Sequence, residues 1–444
     1  MENSFFGTEK ISKIILKIAP PVMLAQLIQA LYNIVDSLFV GRFSSSGLTA
    51  LSIIYPIQLL MIAFAVGTGV GINTSMSYNL GLQNEEGAKK TAGVGTPLAI
   101  VLWLIFAIFC YFFMPTYARM STSSEEVIQD IIHYGRITCV FSFGLFLESI
   151  WTKIIQANGN MKTPMFAQII GAVVNIVLDP LLIFGLIGLP KMGISGAAIA
   201  TVSGQIIAAL VVMKKGFHKS PYIKCYKKEI TNIYLLGIPN ILMQAAYTLY
   251  IFGLNMILAT FSDQAVTALG LYYKWQTFFF IPLGALQTCI VPIIGYNYSS
   301  KQFDRCKQTL NISIFYGLIL MVLGCLCFEF LPEIMLRVFT QDEEVIRIGV
   351  VGFRYIGFSF IPLVTSLIYP VFFQAVGKTL SSSVLTIIRT VVLFVPLGYL
   401  FSLIGLDYFW LTFPLSELIT TIVGFILYKA FFKKLNRQLE VQNN

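Results

Sequence analysis

The sequence has 444 residues, of which 57% are hydrophobic and only 11% are charged, with a formal net charge of +9. A soluble domain has about 25% charged residues, because its surface needs polar cover. The composition therefore excludes a soluble globular protein and indicates a chain that lies largely within a lipid bilayer.

Apolar stretches long enough to span a membrane recur along the whole chain. About 20 apolar residues cross the hydrocarbon layer as a helix, and lipid leaves the backbone of an open strand without hydrogen bonds. The runs are continuous rather than alternating, which favours helices over a β-barrel. We predict an all-α integral membrane protein with twelve transmembrane helices, near residues 14–40, 48–80, 92–114, 127–156, 163–188, 193–213, 232–260, 266–298, 309–331, 345–376, 381–404 and 409–430.

Neither a signal peptide nor a metal centre is indicated. The segment from Met1 to Lys17 lacks the short apolar core and the small-residue cleavage site of a removable signal. The seven cysteines lie mostly inside predicted spans or inner loops, so we expect packing roles and no disulfide framework. Only two histidines occur, His133 and His218, and neither has a cysteine at metal-ligand spacing. We therefore expect no cofactor.

Basic residues are concentrated in one set of alternate loops between the predicted spans. The segment 214–228 alone holds six lysines, and cytoplasmic loops carry an excess of Lys and Arg. We therefore predict that both termini are cytoplasmic in a multi-pass protein of the plasma (inner) membrane. The positive charge then reflects topology, not a nucleic-acid-binding face. The opposite set of loops holds only Arg42, Arg119, Lys191 and Arg337.

The two halves of the chain match each other at a constant offset of 218 residues. One gapless register links the pairs Pro21/Pro239, Gln26/Gln244, Tyr32/Tyr250, Ser44/Ser262, Asn79/Asn297, Arg136/Arg354 and Gly159/Gly377. Six helices per copy bring the second copy into the membrane from the same side, so the repeats are parallel. We predict an N-terminal lobe over residues 1–213, a basic cytoplasmic linker over 214–231 and a C-terminal lobe over 232–444, related by a pseudo-two-fold axis.

Such repeats hold a substrate near the bilayer midplane and expose it to either side by a rocker-switch movement. A fold alone does not establish transport, so the ionisable residues at membrane depth decide the interpretation. Each of them is energetically unfavourable there and is a candidate for a functional site.

Two aspartates are the strongest candidates for binding an ion. Asp36 on helix 1 and Asp179 on helix 5 are predicted at similar depth in the outer half of the N-terminal lobe. Two buried carboxyl groups in one lobe can share a proton or a small cation. Asn175, one turn before Asp179, and Thr201 on helix 6 could complete an oxygen shell for Na⁺. The alternative is that each acid only satisfies a neighbouring helix, with Asp179 bonding backbone freed by Pro180.

Other charges within the spans have structural and functional interpretations. Glu148 on helix 4 has Lys153 nearby, so an ion pair and a role in coupling both stay open. Lys274 and Glu417 are predicted about two turns below the outer surface of the C-terminal lobe. They could form an ion pair across helices, for which we favour a structural role.

Prolines and aromatic residues could shape a substrate cleft. Pro21 lies about four turns before Asp36, so a bend there would move the carboxyl group. Tyr32, Tyr250 and Tyr273 are predicted at cleft depth, where aromatic faces bind organic cations. Many membrane tyrosines only form interfacial belts, and many membrane prolines only cause static kinks.

The sequence resembles the multidrug and toxic compound extrusion (MATE) family over nearly its whole length. The Asn-x-x-x-Asp-Pro segment, together with the aspartate of helix 1, is the more specific part of the resemblance. Within the family, the sequence is most similar to bacterial pumps of the MepA-like subgroup. Besides the six-helix repeat, the resemblance rests on Pro21, Gln29 and Asp36, on Asn175-Ile-Val-Leu-Asp179-Pro180, on Gly193-Ile-Ser-Gly-Ala-Ala-Ile-Ala-Thr201 and on Gln156-Ala-Asn-Gly159.

The resemblance implies a membrane antiporter and not an enzyme. Family members expel cationic, amphipathic compounds while H⁺ or Na⁺ enters, so the expected partners are small organic cations and the lipid bilayer, without nucleic acid. We expect the chain to act as a monomer. The resemblance also implies a cation site in the N-terminal lobe, with Gln29 close by and Pro21 at the bend of helix 1. This site comprises Asp36, Asn175, Asp179 and Thr201.

One departure from the family pattern concerns the C-terminal lobe. Some members carry acids on helices 7 and 10, whereas helix 7 here has none and helix 10 has none after Glu344. Ion coupling is therefore expected to rest on the N-terminal lobe.

Two other functions are alternatives to efflux. A flippase for a lipid-linked saccharide or another amphipathic lipid would share the repeat, but it usually needs a cationic cavity for pyrophosphate. Arg136, Lys274 and Arg354 are the only outer-half bases that could supply one. A membrane enzyme is disfavoured, because the sequence shows no paired metal ligands, no nucleophile with a nearby base and no phosphate-binding loop.

Overall fold

The computed structural model describes residues 5–443, except for the side chains of Ser45 and of residues 438–443. Met1 to Ser4, part of the predicted N-terminal segment, and Asn444 lie outside the described residues. The described chain is helical and contains no β-strand. Its first ten helices are α1 (Phe5–Thr8), α2 (Ile11–Phe43), α3 (Ser45–Gly81), α4 (Glu85–Ser121), α5 (Glu125–Val140), α6 (Phe143–Ala157), α7 (Lys162–Phe184), α8 (Ile194–Gly216), α9 (Ile223–Ala259) and α10 (Asp263–Phe279).

The remaining helices include one π-helical segment, Ile388–Phe394, between α15 and α16. This segment ends just before Pro396, which has no backbone N–H to donate, and π turns of this kind are frequent at functional sites. These helices are α11 (Ile281–Ser299), α12 (Phe303–Phe330), α13 (Pro332–Arg337), α14 (Glu343–Ala375), α15 (Thr379–Ile387), α16 (Val395–Ser402), α17 (Leu406–Phe409) and α18 (Thr412–Asn443).

The helices account for the predicted number of spans. Within the described residues, 10 helices are long and apolar enough to cross a membrane, and two bent pairs raise the number to as many as 12. The pairs are α5 with α6, bent by 43°, and α10 with α11, bent by 50°. The predicted all-α membrane fold is confirmed.

The two bends are the main local difference from the predicted spans 127–156 and 266–298, each of which is formed by two helices. Between α10 and α11, Pro282 follows the break at Phe280 and cannot donate a helical hydrogen bond. Between α5 and α6, the hydroxyl of Ser142 donates to the carbonyl oxygen of Cys139 at 2.7 Å. Such side-chain bonds compete with the helical pattern.

Several positions of the 218-residue repeat have the same structural role in both halves. Ser44 accepts a hydrogen bond from the backbone N–H of Gly47 at 3.1 Å and caps α3, and Ser262 caps α10 through Ala265 at 3.1 Å. Gly159 has a φ of 77° and Gly377 a φ of 74°, in the left-handed region that favours glycine. The two halves therefore share helix caps and glycine turns as well as their apolar pattern.

The chain divides into two compact units. The first unit contains the residues up to Ile241 and Gly295–Lys301, and the second contains Leu242–Ile294 and the residues from Gln302 onward. Two of the three boundaries fall inside long helices, because α9 and α11 each continue from one unit into the other. The third boundary lies in the turn between α11 and α12. The predicted lobes with a linker over 214–231 stay a prediction.

Close packing of α7 on α8 organises the polar centre of the first unit. A Cβ atom on Gly171 would lie 2.8 Å from the carbonyl oxygen of Gly204, so only glycine permits this approach of the two backbones. Asn175 follows Gly171 by one turn, and Thr201 precedes Gly204 by about one turn. The glycine contact therefore brings these two polar side chains together.

Candidate functional site

A cluster of polar side chains is buried in the first unit, on α2, α7 and α8. Asp36 is 8% exposed, Asn175 is 2% exposed and Asp179 is fully buried. The Asn175 amide donates to the Asp179 carboxyl at 3.4 Å and to the hydroxyl of Thr201 at 3.4 Å. We call Asp36, Asn175, Asp179 and Thr201 the Asp36 cluster.

The Asp36 cluster has more acceptor atoms than donors. Asp36 Oδ1, Asn175 Oδ1 and Asp179 Oδ2 are buried, and each has no hydrogen-bond partner within the described residues. The carboxyl groups of Asp36 and Asp179 are close enough for their charges to interact. Buried acceptors of this kind need a donor or a counter-ion. A set made only of oxygen atoms suits a proton or a hard cation such as Na⁺.

A large cavity borders this cluster within the first unit. It has a volume of about 500 Å³ and combines a carboxyl group with tyrosine, glutamine and threonine side chains. We call it the Asp36 cavity. Gln58 donates to the hydroxyl of Tyr134 at 3.4 Å on one wall. Its polar lining includes Tyr32, Asp36, Tyr55, Gln58, Tyr134 and Thr201.

A smaller cavity adjoins the first and has a volume of about 100 Å³. We call it the Glu148 cavity. Gln29, Tyr32 and Thr201 line both cavities. Glu148 is 8% exposed, and its carboxyl oxygen accepts a hydrogen bond from Thr152, one turn along α6, at 2.8 Å. The structure therefore places Gln29, Tyr32 and Glu148 beside the Asp36 cluster.

The remaining predicted cleft residues have other surroundings. Pro21 lies inside α2, which continues through it without a break, and the predicted bend stays a prediction. Tyr250 and Tyr273 belong to the second unit and to its aromatic packing. The ring of Tyr250 stacks on Phe394 at 4.6 Å, and Tyr273 lies 5.1 Å from the ring of Tyr272.

The predicted ion pair between Lys274 and Glu417 is wrong. Arg389, on the π-helical segment, donates to both carboxyl oxygens of Glu417 at 2.5–3.0 Å. Ser366 also donates to this carboxyl group. Lys274 instead lies over the ring of Phe339, 5.1 Å from its centroid. A planar guanidinium group matches a carboxylate in two-point geometry better than an ammonium group does.

Several uncharged polar residues of the cavities were not predicted from the sequence. These residues include Gln58, Tyr134, Gln168 and Gln205. A signal was available, since amides within apolar spans also need hydrogen-bond partners. The ion pair between Arg389 and Glu417 was harder to predict from the sequence, because the π-helical segment and α18 come together only in the folded chain.

The sequence matches a known protein family and several known proteins. The MatE family model matches residues 21–181 and 239–400. The chain is 25% identical to "Probable multidrug resistance protein YoeA" of Bacillus subtilis, covering 93% of this chain and 92% of that protein. It is 24% identical to a FAD transporter of Shewanella oneidensis, with 94% of each covered. It is also 24% identical to "Multidrug export protein MepA" of Staphylococcus haemolyticus, with 90% of each covered.

A solved structure with the same architecture is an outward-facing multidrug resistance MATE family transporter of the MOP superfamily. The two chains have a TM-score of 0.91 and 21% sequence identity, and the match covers 98% of this chain and 99% of the other. At this identity the likeness shows the shared fold.

Proposed function

This chain belongs to the MatE family of membrane transporters, and from that premise we propose that it is an antiporter that exports organic cations in exchange for H⁺ or Na⁺. Family membership confirms the resemblance predicted from the sequence. Members of the family are transporters and not enzymes.

The observation that carries the proposal is the Asp36 cluster beside a cavity of about 500 Å³. The cluster presents buried carboxyl and amide oxygens that have no hydrogen-bond partner within the described residues. Uptake of H⁺ or Na⁺ would supply the missing donor or positive charge. An inward ion gradient could therefore act on this cluster.

Exchange follows if the ion and the substrate compete for the same negative charge. A bound H⁺ or Na⁺ cancels one negative charge of the pair Asp36 and Asp179 and weakens the attraction of the adjoining cavity for an organic cation. Release of the ion restores that attraction, so that the binding of each partner disfavours the other by the same coupling free energy. If the cavity opens alternately to the two sides of the membrane, inward ion movement drives outward substrate movement.

The lining of the cavities favours organic cations over anions. Asp36 and Glu148 supply negative charge, while Tyr32, Tyr55 and Tyr134 supply aromatic faces that attract cations. Two relatives are named as multidrug proteins, in keeping with a broad range of amphipathic cations. The pyrophosphate of a flavin dinucleotide or of a lipid-linked saccharide would meet these carboxyl groups unfavourably. A flippase therefore fits the cavities less well.

The proposal also covers the oligomeric state, the membrane topology and the cofactors. We propose a monomer that crosses the cell membrane many times with both termini in the cytoplasm, as the distribution of basic loops predicts. No cofactor enters the exchange beyond the coupling ion itself.

Transport in proteoliposomes tests the proposal. Export of a fluorescent cation such as ethidium is measured with a proton gradient alone and then with a sodium gradient alone. We expect one of the two gradients to drive transport by the unchanged protein. Asp36→Asn removes one of the two carboxyl groups of the cluster while keeping the size of the side chain, and we expect it to abolish gradient-driven export.

A matched control is available in the exposed first turn of α12. Asp304 is 91% exposed and forms an ion pair with Lys307 at 3.5 Å. The variant Asp304→Asn should therefore transport normally. Gradient-driven export by Asp36→Asn at the rate of Asp304→Asn would overturn the assignment of coupling to this cluster.

A further inference from the structure

The Glu148 cavity has the size and chemistry of a head-group site. Its volume of about 100 Å³ is several times the minimum needed to hold one water molecule. Glycine and alanine from α7 and α8 leave room in the wall, whereas Glu148, Gln168 and Asn175 bring a carboxyl group and two amides to it. The cavity is therefore small, polar and on balance negative.

The acceptor atoms of this cavity need N–H donors. Glu148 accepts a hydrogen bond from Thr152 at 2.8 Å. It also interacts with Gln168 and with the positive charge of Lys153. Its carboxyl group has acceptor capacity for a further donor. The buried Oδ1 of Asn175, which also lines the cavity, has no hydrogen-bond partner within the described residues. A ligand with positive charge and several N–H groups would satisfy both residues.

The positions of the second unit that correspond to the Glu148 cavity carry a cationic side chain bonded to a carboxyl group. At the offset of 218 residues, Gly171 in the wall of the cavity corresponds to Arg389, and Glu148 corresponds to Ser366. The α7 and α8 helices correspond in the same register to the α15–α16 segment and to α18, since Ile194 and Thr412 begin equivalent helices. The positions can therefore be compared directly.

In the second unit, a guanidinium group fills this position. Arg389 donates to the carboxyl oxygens of Glu417 at 2.5–3.0 Å. Glu417 in turn contacts Ser366, the equivalent of Glu148. Tyr250, within hydrogen-bonding reach of Arg389, is the equivalent of Tyr32, which lines the Glu148 cavity.

Each unit thus has a tyrosine at the equivalent place and a buried carboxyl group near it, but the carboxyl groups come from different positions, since Glu417 corresponds to Ile199. In the second unit a guanidinium group bonds the carboxyl group, whereas Glu148 accepts a hydrogen bond from the hydroxyl of Thr152. In the first unit, the position of Arg389 is taken by Gly171, which packs against the backbone of Gly204 and contributes no donor group to the adjoining cavity. A ligand that enters the Glu148 cavity can supply the cationic donor that the chain does not provide at this position. Its chemistry should resemble that of the Arg389 side chain.

We propose that the Glu148 cavity binds the protonated amine or guanidinium end of a substrate cation, with Glu148 as its counter-ion. This inference rests on the proposed export function and adds a head-group subsite to it. The apolar body of the substrate lies in the adjoining Asp36 cavity. Cations without N–H groups bind through the larger cavity alone and do not need Glu148.

A matched pair of probes tests the proposal on the purified full-length protein. The probes are 4-phenylbutylammonium and its N,N,N-trimethyl analogue, which share body and charge but differ in N–H donors. Radioligand binding is measured without an ion gradient. Loss of one charge-assisted hydrogen bond weakens binding by roughly tenfold to a hundredfold. We expect Glu148→Gln to weaken the primary amine to that extent and the trimethyl analogue less than about threefold.

Two further variants keep the test decisive. Glu329→Gln changes an acid of α12 in the second unit and should leave both affinities unchanged. Glu148→Asp keeps the charge and is used if Glu148→Gln fails to fold, and we expect it to weaken the amine more than the trimethyl analogue. Equal weakening of both probes, or of neither, overturns the subsite. Binding without gradient-driven export would instead overturn the proposed antiport and leave the subsite in place.

Discussion

The ion pair between Arg389 and Glu417 gives a prediction whose size follows from its geometry. The side chains are 8% and 2% exposed, and the guanidinium group donates to both carboxyl oxygens at 2.5–3.0 Å. Removal of one partner from a buried pair leaves an uncompensated charge and costs about 3–5 kcal/mol. We expect Arg389→Met to lower the free energy of unfolding by that amount.

The double substitution Arg389→Met with Glu417→Leu distinguishes an ion pair from two independent contacts. Well-packed apolar residues in place of a buried pair are often neutral for stability, so the double variant should recover most of the loss. Equilibrium unfolding in mixed detergent micelles measures the unchanged protein, the single variants Arg389→Met and Glu417→Leu, and the double variant. The exposed pair Arg337–Glu343, at 2.9 Å, provides the control, and Arg337→Met should have a much smaller effect.

Two results would refute this reasoning. Arg389→Met could prove no more destabilising than Arg337→Met, which would mean that water reaches the pair. Alternatively, the double variant could lose the sum of the two single losses, which would mean that the partners do not interact.

Three further predictions concern turns, caps and the second acid. Gly159→Ala and Gly377→Ala place alanine at φ values of 77° and 74°, and each should lower the free energy of unfolding by about 1–2 kcal/mol in the same assay. Gly270→Ala, with open space around it, should leave the free energy of unfolding undiminished. Equal losses at all three sites would contradict the strain argument. Ser262→Ala should cost about 1 kcal/mol in the same assay by removing the cap of α10, and an unchanged free energy of unfolding would contradict the capping role. Asp179→Asn should abolish gradient-driven export, and normal export would exclude Asp179 from coupling.

The sequence predicted the helices and the polar centre because both follow from strong local constraints. Lipid forces long apolar runs into helices, and the pairs Ser44/Ser262 and Gly159/Gly377 had to match because each cap or turn recurs in both halves. Asp36 and Asp179 were recognisable because an acid at membrane depth is rare. The cavities that surround them could not be derived, since their shape depends on close packing such as that of Gly171 against Gly204.

The errors and omissions also have physical reasons. Lys274 and Glu417 were paired by estimated depth alone, but the partner of a carboxyl group depends on which helix faces it. Arg389 reaches Glu417 from a π-helical turn, and that turn changes the direction of side chains in a way that regular helical spacing does not predict. The bends at Phe280 and Ser142 likewise depend on local hydrogen bonds within otherwise continuous apolar runs.

The central claim is that the Asp36 cluster in the first unit couples ion entry to substrate exit. Its most direct test is ion movement driven by the substrate itself, measured in proteoliposomes with an internal pH dye and with radioactive sodium. A gradient of organic cation should drive counterflow of H⁺ or Na⁺ through the unchanged protein, and Asp36→Asn should abolish the counterflow. Counterflow of the same size through Asp36→Asn and the unchanged protein would contradict the claim.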